Sequence, residues 1–181
     1  MYNSHDDITA FHNTSVCLPL AERDTMRDRR NTNRKRLKDG LAADGQPKPV
    51  GCRTQGSYAM RTMIQHSAKD YDIDDGVYFK KDDLIGLGGA DKTARAARQM
   101  VCEALEDDRF CTPPEVRKNC VRVIYNEGYH VDIPVYRTYE KDGNDVYELA
   151  SSDWKASDPL AVTKSPIQKF MFFGNVLRCV V

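Results

Sequence analysis

The run from Asp72 to Phe79, Asp-Ile-Asp-Asp-Gly-Val-Tyr-Phe, constrains the fold more than any other stretch of the chain. It ends as a strand but begins by crowding Asp72, Asp74 and Asp75 together. Aspartate disfavours strands, and closely packed carboxylates repel. In a strand, residues two apart share a face. Asp72 and Asp74 therefore point one way, while Ile73, Val77 and Phe79 point into a core. Asp75 falls on the core side by parity, beside Gly76, where the strand is expected to bend or bulge.

A second pattern explains what such a strand is for. VRVIY (residues 121–125) and YHVDIPVYR (129–137), joined by Asn126, Glu127 and Gly128, read as a hairpin. Val131, Ile133 and Val135 form its apolar face, with Asp132 opposite. A carboxylate embedded there is costly unless it is paired or binds a cation. If the two strands are neighbours, Asp132 joins Asp72 and Asp74. Three converging carboxylates call for a divalent cation, and hard oxygen donors suit Mg²⁺, with Mn²⁺ as the alternative. Two such ions could stabilise the attacking and leaving oxygens of a phosphoryl displacement.

Upstream, a short strand is expected at residues 50–55, followed by Gly56 and Ser57. Gly56 permits close backbone approach, and Ser57 caps a short helix whose N–H groups can hold an anion. A triphosphate could lie between that helix start and the metals. Helices are expected over 20–42 and 91–107. The first has a narrow apolar stripe (Leu20, Met26, Leu37, Leu41), and its basic residues (Arg27, Arg29, Arg30, Arg34, Lys35, Arg36, Lys38) read as a solvated face. The second buries Ala94, Ala97, Met100, Val101, Ala104 and Leu105 and leaves Arg95, Arg98, Glu103 and Glu106 outside. A further short strand is expected at 145–150, and Gly86 to Gly89 reads as a surface loop. The fold class is α+β: a mixed, mainly antiparallel sheet backed by helices.

Composition removes other classes. The 181 residues, 40% hydrophobic, suit one domain, and the zero formal charge argues against a nucleic-acid partner. Six cysteines without a C-x-x-C pair suggest free thiols in a reducing cytoplasm. No signal peptide is evident, and no apolar run approaches a membrane span. His5, His12, His66 and His130 match no zinc spacing, and His130 reads as a strand residue with its bonding satisfied.

TQGSYAMRT, DIDDGVYF and YHVDIPVYR together resemble the polymerase-beta superfamily of nucleotidyltransferases. More narrowly, QGS followed by DIDDG resembles the bacterial CD-NTases, relatives of cyclic GMP-AMP synthase that make cyclic di- or trinucleotide signals in anti-phage defence. WKASDP (154–159) is similar to the segment after that family's catalytic sheet. The resemblance spans roughly residues 8 to 163. It implies a polymerase-beta-like core, Asp72, Asp74 and Asp132 as the catalytic, metal-binding triad, and Gln55, Gly56 and Ser57 as nucleotide-binding residues. It implies attack of a ribose hydroxyl on the alpha-phosphate of ATP or GTP, with Asp132 best placed to activate the hydroxyl. It also implies a cytoplasmic enzyme with a defence-system regulatory protein as partner. Residues 1–163 are expected to form the catalytic core with its N-terminal helix. Residues 164–181 form an apolar tail that does not read as the family's helical second half, so the chain is expected to be truncated. The alternatives are a non-catalytic nucleotide-binding module and a transferase of NMP to protein or RNA.

Overall fold

The computed structural model describes residues 4–67, 69 and 71–159, without the side chain of Leu87. The expected tail, and the boundary after Thr163, lie outside the described residues. The elements in chain order are α1 (Ser4–Phe11), α2 (Leu20–Ala43), β1 (Gly51–Gln55), α3 (Gly56–Met60), β2 (Asp72–Lys80), α4 (Ala94–Ala104), β3 (Glu115–Val116), β4 (Val121–Ile124), β5 (His130–Ile133), β6 (Val135–Lys141), β7 (Asn144–Ala150) and β8 (Trp154–Ala156). A π-helical turn, His12–Val16, follows α1. The expected 20–42 helix runs through Gly40 to Ala43, and the 91–107 helix is shorter at both ends. None of α1, β3 and β8 was expected, and WKASDP, read as following the sheet, gives it β8.

All eight strands belong to one sheet, with β2 at its centre. β1 pairs antiparallel along one edge of β2, from Gly51↔Tyr78 to Gln55↔Asp74. The other edge takes β5 and then β6, both parallel, in one unbroken register: Asp74↔Asp132, then Val77↔Val135. Residues 129–137 are thus a single path in space. Its ladder is interrupted at Pro134, which has no N–H to donate, while the Pro134 carbonyl accepts from Val77 N–H at 2.9 Å. β4 and β5 form the expected hairpin, and β6, β7 and β8 continue antiparallel. Apart from the two parallel pairings of β2, every strand pairing is antiparallel, so the sheet is mixed and mainly antiparallel.

The core lies between one face of this sheet and helices α2 and α4. Ile73, Val77, Phe79, Val131 and Val135 supply the sheet side, and all are fully buried. Met26, Leu37 and Leu41 face them from α2, with Ala97, Val101 and Leu105 from α4. Burial of each large apolar side chain contributes about 1.5–3 kcal/mol. Leu20 does not join the stripe and stays about half exposed. Gly40 is required where α2 crosses the end of α4: a Cβ there would sit 2.2 Å from the Ala104 carbonyl oxygen. Arg98 is buried, not external. Its Nη1 donates to the carbonyls of Ala150, at 2.7 Å, and of Ser151, tying α4 to the end of β7.

The basic run of α2 is not simply solvated. Arg34 donates to Asp75 through Nε at 2.7 Å, and Arg36 donates to Asp107 through Nε at 2.7 Å. Arg29 meets Glu127 at 2.6 Å, and Arg30 Nη1 donates to Thr54 at 2.9 Å. Cys52, Cys102, Cys111 and Cys120 are free thiols, whereas Cys17 is disulfide-bonded, against the expectation of free thiols throughout. Among the described residues, no helix is long and apolar enough to cross a membrane.

Candidate active site

On the face of β2 away from the core stand Asp72, Asp74, Gly76 and Tyr78, as strand alternation requires. The parallel register puts His130 beside Asp72 and Asp132 beside Asp74. One potential ligand atom each from Asp72, His130 and Asp132 lies within 4.8 Å of the others. Asp74 belongs to the same electrostatic group. Burial first, then the charges of Asp72 and Asp132, push its carboxyl up to about 6. The chemistry of this donor set fits a hard divalent cation, which would cancel the repulsion that raises Asp74. His130 adds a nitrogen the sequence reading set aside, although its parity with Asp132 was visible.

Asp132 has a partner the sequence reading missed. Arg122, directly opposite on β4, donates Nε to Oδ1 and Nη2 to Oδ2, each at 2.8 Å. This two-point fork fixes the carboxylate plane. The signal was present, because counting outward from the Asn126–Gly128 turn puts Arg122 opposite Asp132. Cys120 is a second missed neighbour. Burial and adjacent Asp132 push its thiol up to about 12, so it stays protonated beside the carboxylate.

The Gly-Ser pair meets the aspartates from β1. Gly56 has φ +62°, and a Cβ on it would sit 2.2 Å from Asp74 Oδ2, so both backbone and space demand glycine. The helix begins at Gly56 rather than after Ser57. Gln55 occupies the cap position with no side-chain cap bond, so Ser57 is not the capping residue. The Gln55 side chain is held over Gly76: its Nε2 donates to Tyr78 Oη at 2.6 Å, and its Oε1 accepts from Tyr136 Oη at 3.1 Å. A Cβ on Gly76 would meet Gln55 Nε2 at 2.4 Å. Gly76 therefore serves a close approach, and β2 runs in unbroken register through it instead of bulging.

These groups open into a cleft of about 310 Å³. Gln55, Gly56, Asp74 and Asp132 line its floor, and Ser157, Asp158 and Pro159 supply another wall. Asp72 and Ser57 are not among its lining residues. Gln55, Gly56, Asp74 and Asp132 thus share one cleft, and Asp72 reaches Asp132 from the His130 side.

A mixed sheet carrying a Gly-Ser turn beside paired aspartates on neighbouring strands defines a nucleotidyltransferase core. Residues 50–136 match the family model described as "Cyclic GMP-AMP synthase DncV-like, nucleotidyltransferase domain", and over that stretch the chain is similar to the CD-NTases. Among solved structures, it is similar to the CD-NTase CdnG of Bradyrhizobium diazoefficiens in complex with GTP, at 18% identity and TM-score 0.69, covering 90% of this chain and 46% of that one. Vibrio cholerae DncV in its 3'-deoxy ATP bound form matches at 17% identity and TM-score 0.69, covering 96% and 63%. CdnC of E. coli MS115-1 with ATP matches at 22% and TM-score 0.61, covering 87% and 49%. At these identities the likeness is one of fold. The chain spans between about half and under two-thirds of the length of these structures.

Proposed function

We propose that this chain is the nucleotidyl-transfer core of a cyclic-oligonucleotide synthase using ATP, GTP or both. The observation that carries the reading is the register Asp74↔Asp132, with Gly56 against Asp74. Asp72, Asp74 and Asp132 would hold Mg²⁺ or Mn²⁺, which when bound supplies charge neutralisation at the reacting phosphate. Gly56 brings backbone close to the donor triphosphate, and Gln55, clamped by two tyrosine hydroxyls, keeps β1 rigid beneath it. A ribose hydroxyl gives its proton to solvent water and attacks the alpha-phosphorus, and the bond to the bridging oxygen breaks to release pyrophosphate. Because Arg122 already donates to both oxygens of Asp132, we assign Asp132 to metal holding before proton acceptance.

Residues 1–163 form the catalytic core in this reading. The GTP- and ATP-bound neighbours support the substrate class, and the CdnC:HORMA complex supports a regulatory protein as partner. An anti-phage signalling role rests on the family resemblance. The test is incubation with alpha-labelled NTPs and Mg²⁺ or Mn²⁺, followed by phosphatase. Metal-dependent, phosphatase-resistant label that disappears with Asp72→Asn/Asp74→Asn is the expected result. Label found only on protein or RNA would replace the cyclic product with the macromolecular transferase. No labelled product, with Mg·ATP binding intact, would leave a nucleotide-binding module.

A further inference from the structure

We propose that the opposite side of β1 carries a second site, which binds a phosphate-bearing small molecule between the start of α2 and α3. Thr54 and Gln55 are consecutive strand residues, so their side chains leave β1 on opposite faces. Gln55 is in register with Asp74 and lines the aspartate cleft; Thr54 is in register with Asp75 and lines a different cavity of about 360 Å³. The two cavities share no lining residue. Leu20, Arg23, Asp24 and Arg27 of α2 form one wall, and Tyr58 and Arg61 contribute the other.

The charges of this cavity do not balance internally. Arg27 pairs with Asp24 at 2.8 Å, which uses the one carboxylate present. The guanidiniums of Arg23 and Arg61 make no hydrogen bond or ion pair among the described residues, and both also line a small adjoining recess with Leu18, Tyr58 and Met63. The two cations therefore line the same two hollows. By contrast, Arg30, Arg34 and Arg36 further along α2 all have protein partners. Like charges that line one hollow without a counter-charge repel, and an anion relieves that repulsion. The planar guanidinium fork suits phosphate oxygens, and two forks suit a phosphate better than a single carboxylate.

One further feature favours an anion here. No side chain caps the start of α2, so its first-turn N–H groups add positive potential next to Leu20. Arg61 ends α3 with φ +58°, a left-handed helix stop that glycine would adopt more easily. Leu20 and the Tyr58 ring offer apolar surface to the organic part of the ligand, and the volume is within the usual range for small-molecule sites.

This site stands independently of the nucleotidyl-transfer reading, so its test uses no catalysis. Inorganic phosphate, pyrophosphate and ATP are titrated by calorimetry, in EDTA, into the wild type, Arg23→Gln/Arg61→Gln and Asp72→Asn/Asp74→Asn. One equivalent of pyrophosphate or ATP should bind without a divalent cation. Binding should weaken with added salt and fall at least tenfold in the arginine variant, while the aspartate variant retains it. ATP binding more tightly than pyrophosphate would identify a nucleotide, and equal binding a free polyphosphate. Arg61→Gly removes the charge while relaxing the positive φ, so weaker binding at an unchanged or higher melting temperature separates ligand loss from unfolding. No binding by the wild type, or equal affinity in the arginine variants, would reduce Arg23 and Arg61 to solvated cations. Loss in the aspartate variant instead would place the anion in the other cleft.

Discussion

Asp74 and Asp75 are consecutive residues of the same type in one strand, and they lead opposite lives. Asp75 points into the core side, is 3% exposed, and is met by Arg34 from α2 and by the Thr54 hydroxyl at 3.2 Å. Asp74 points to the cleft and has no ion pair among the described residues, and burial with two neighbouring carboxylates raises its pKa. A buried charge kept for structure is supplied with its counter-charge by the fold. Asp74 is left without one, so that a ligand entering the cleft could provide it, whereas Asp132 beside it already has Arg122. The two faces of β2 thus separate a residue that holds α2 in place from one that opens into the cleft.

The largest effect should come from the structural side. Asp75→Ala leaves the Arg34 guanidinium without its carboxylate, with only the Thr54 hydroxyl, at 3.3 Å, to accept from it. Removing one member of a buried pair costs about 3–5 kcal/mol, and because Arg34 is partly exposed we expect the lower end of that range. Chemical denaturation gives the number. A loss below about 1 kcal/mol would mean that the pair is dispensable and that the contrast with Asp74 is wrong.

Asp74→Asn should act in the opposite direction. The carboxyl is raised from 3.8 in the unfolded chain to about 6 in the fold, so the folded state binds the extra proton. Its penalty is therefore absent below about pH 4, grows through pH 4–6 and is complete above. Since the group is partly exposed, we discount the shift to about 1–2 kcal/mol. The asparagine variant should be more stable than the wild type by that amount at pH 7.5 in EDTA, and equal to it near pH 4. The same variant should lose Mg²⁺-dependent ATP binding. A melting temperature that drops at pH 7.5 would show that Asp74 is held by contacts of its own.

Gly56→Ala tests the contact between the two halves of the site. The positive φ and the 2.2 Å approach to Asp74 Oδ2 should together cost about 1–2 kcal/mol. The neighbouring carboxylate should shift, so Mg·ATP affinity should fall by more than stability does. Full stability with full affinity would mean that α3 moves freely relative to β2.

Much of this was legible because parity is a local property. Alternation alone put Asp72 and Asp74 on one face and Ile73, Val77 and Phe79 on the other, and it assigned Asp75 to the core side. What parity could not supply was the partner of Asp75. Arg34 lies on a helix 41 residues away, and α2 offers eight basic residues of equal standing. Local pattern alone points instead to a bulge at Gly76 and a solvated helix face. Arg122 was more accessible, since hairpin counting fixes its opposite number, and so was His130, which shares the face of Asp132. Arg98 was assigned outward by helical spacing. It is buried because its long stem reaches past α4 to carbonyls at the end of β7, a long-range contact no periodicity encodes.

The smallest effect sharpens the comparison from the helix side. Arg29 and Arg34 both lie on α2, and both pair with a carboxylate of the sheet region, at 2.6 Å for Glu127 and 2.7 Å for Asp75. Distance does not distinguish them, but environment does. The Arg29 and Glu127 side chains are 44% and 41% exposed, so water screens their attraction and both lose rotamer freedom by pairing. The carboxyl of Glu127 is lowered, first by a hydrogen bond from its own backbone and only later by Arg29. Its contribution is thus present above the ordinary glutamate pKa and fades as pH falls through the depressed value, with little of it belonging to the pair. Glu127→Gln should cost at most about 0.5 kcal/mol at pH 7, and less in 1 M salt. Denaturation of Glu127→Gln beside Asp75→Ala, at low and high salt, compares the two pairs directly. A loss for Glu127→Gln matching that for Asp75→Ala would show that the hairpin turn, and not the centre of β2, anchors α2 to the sheet.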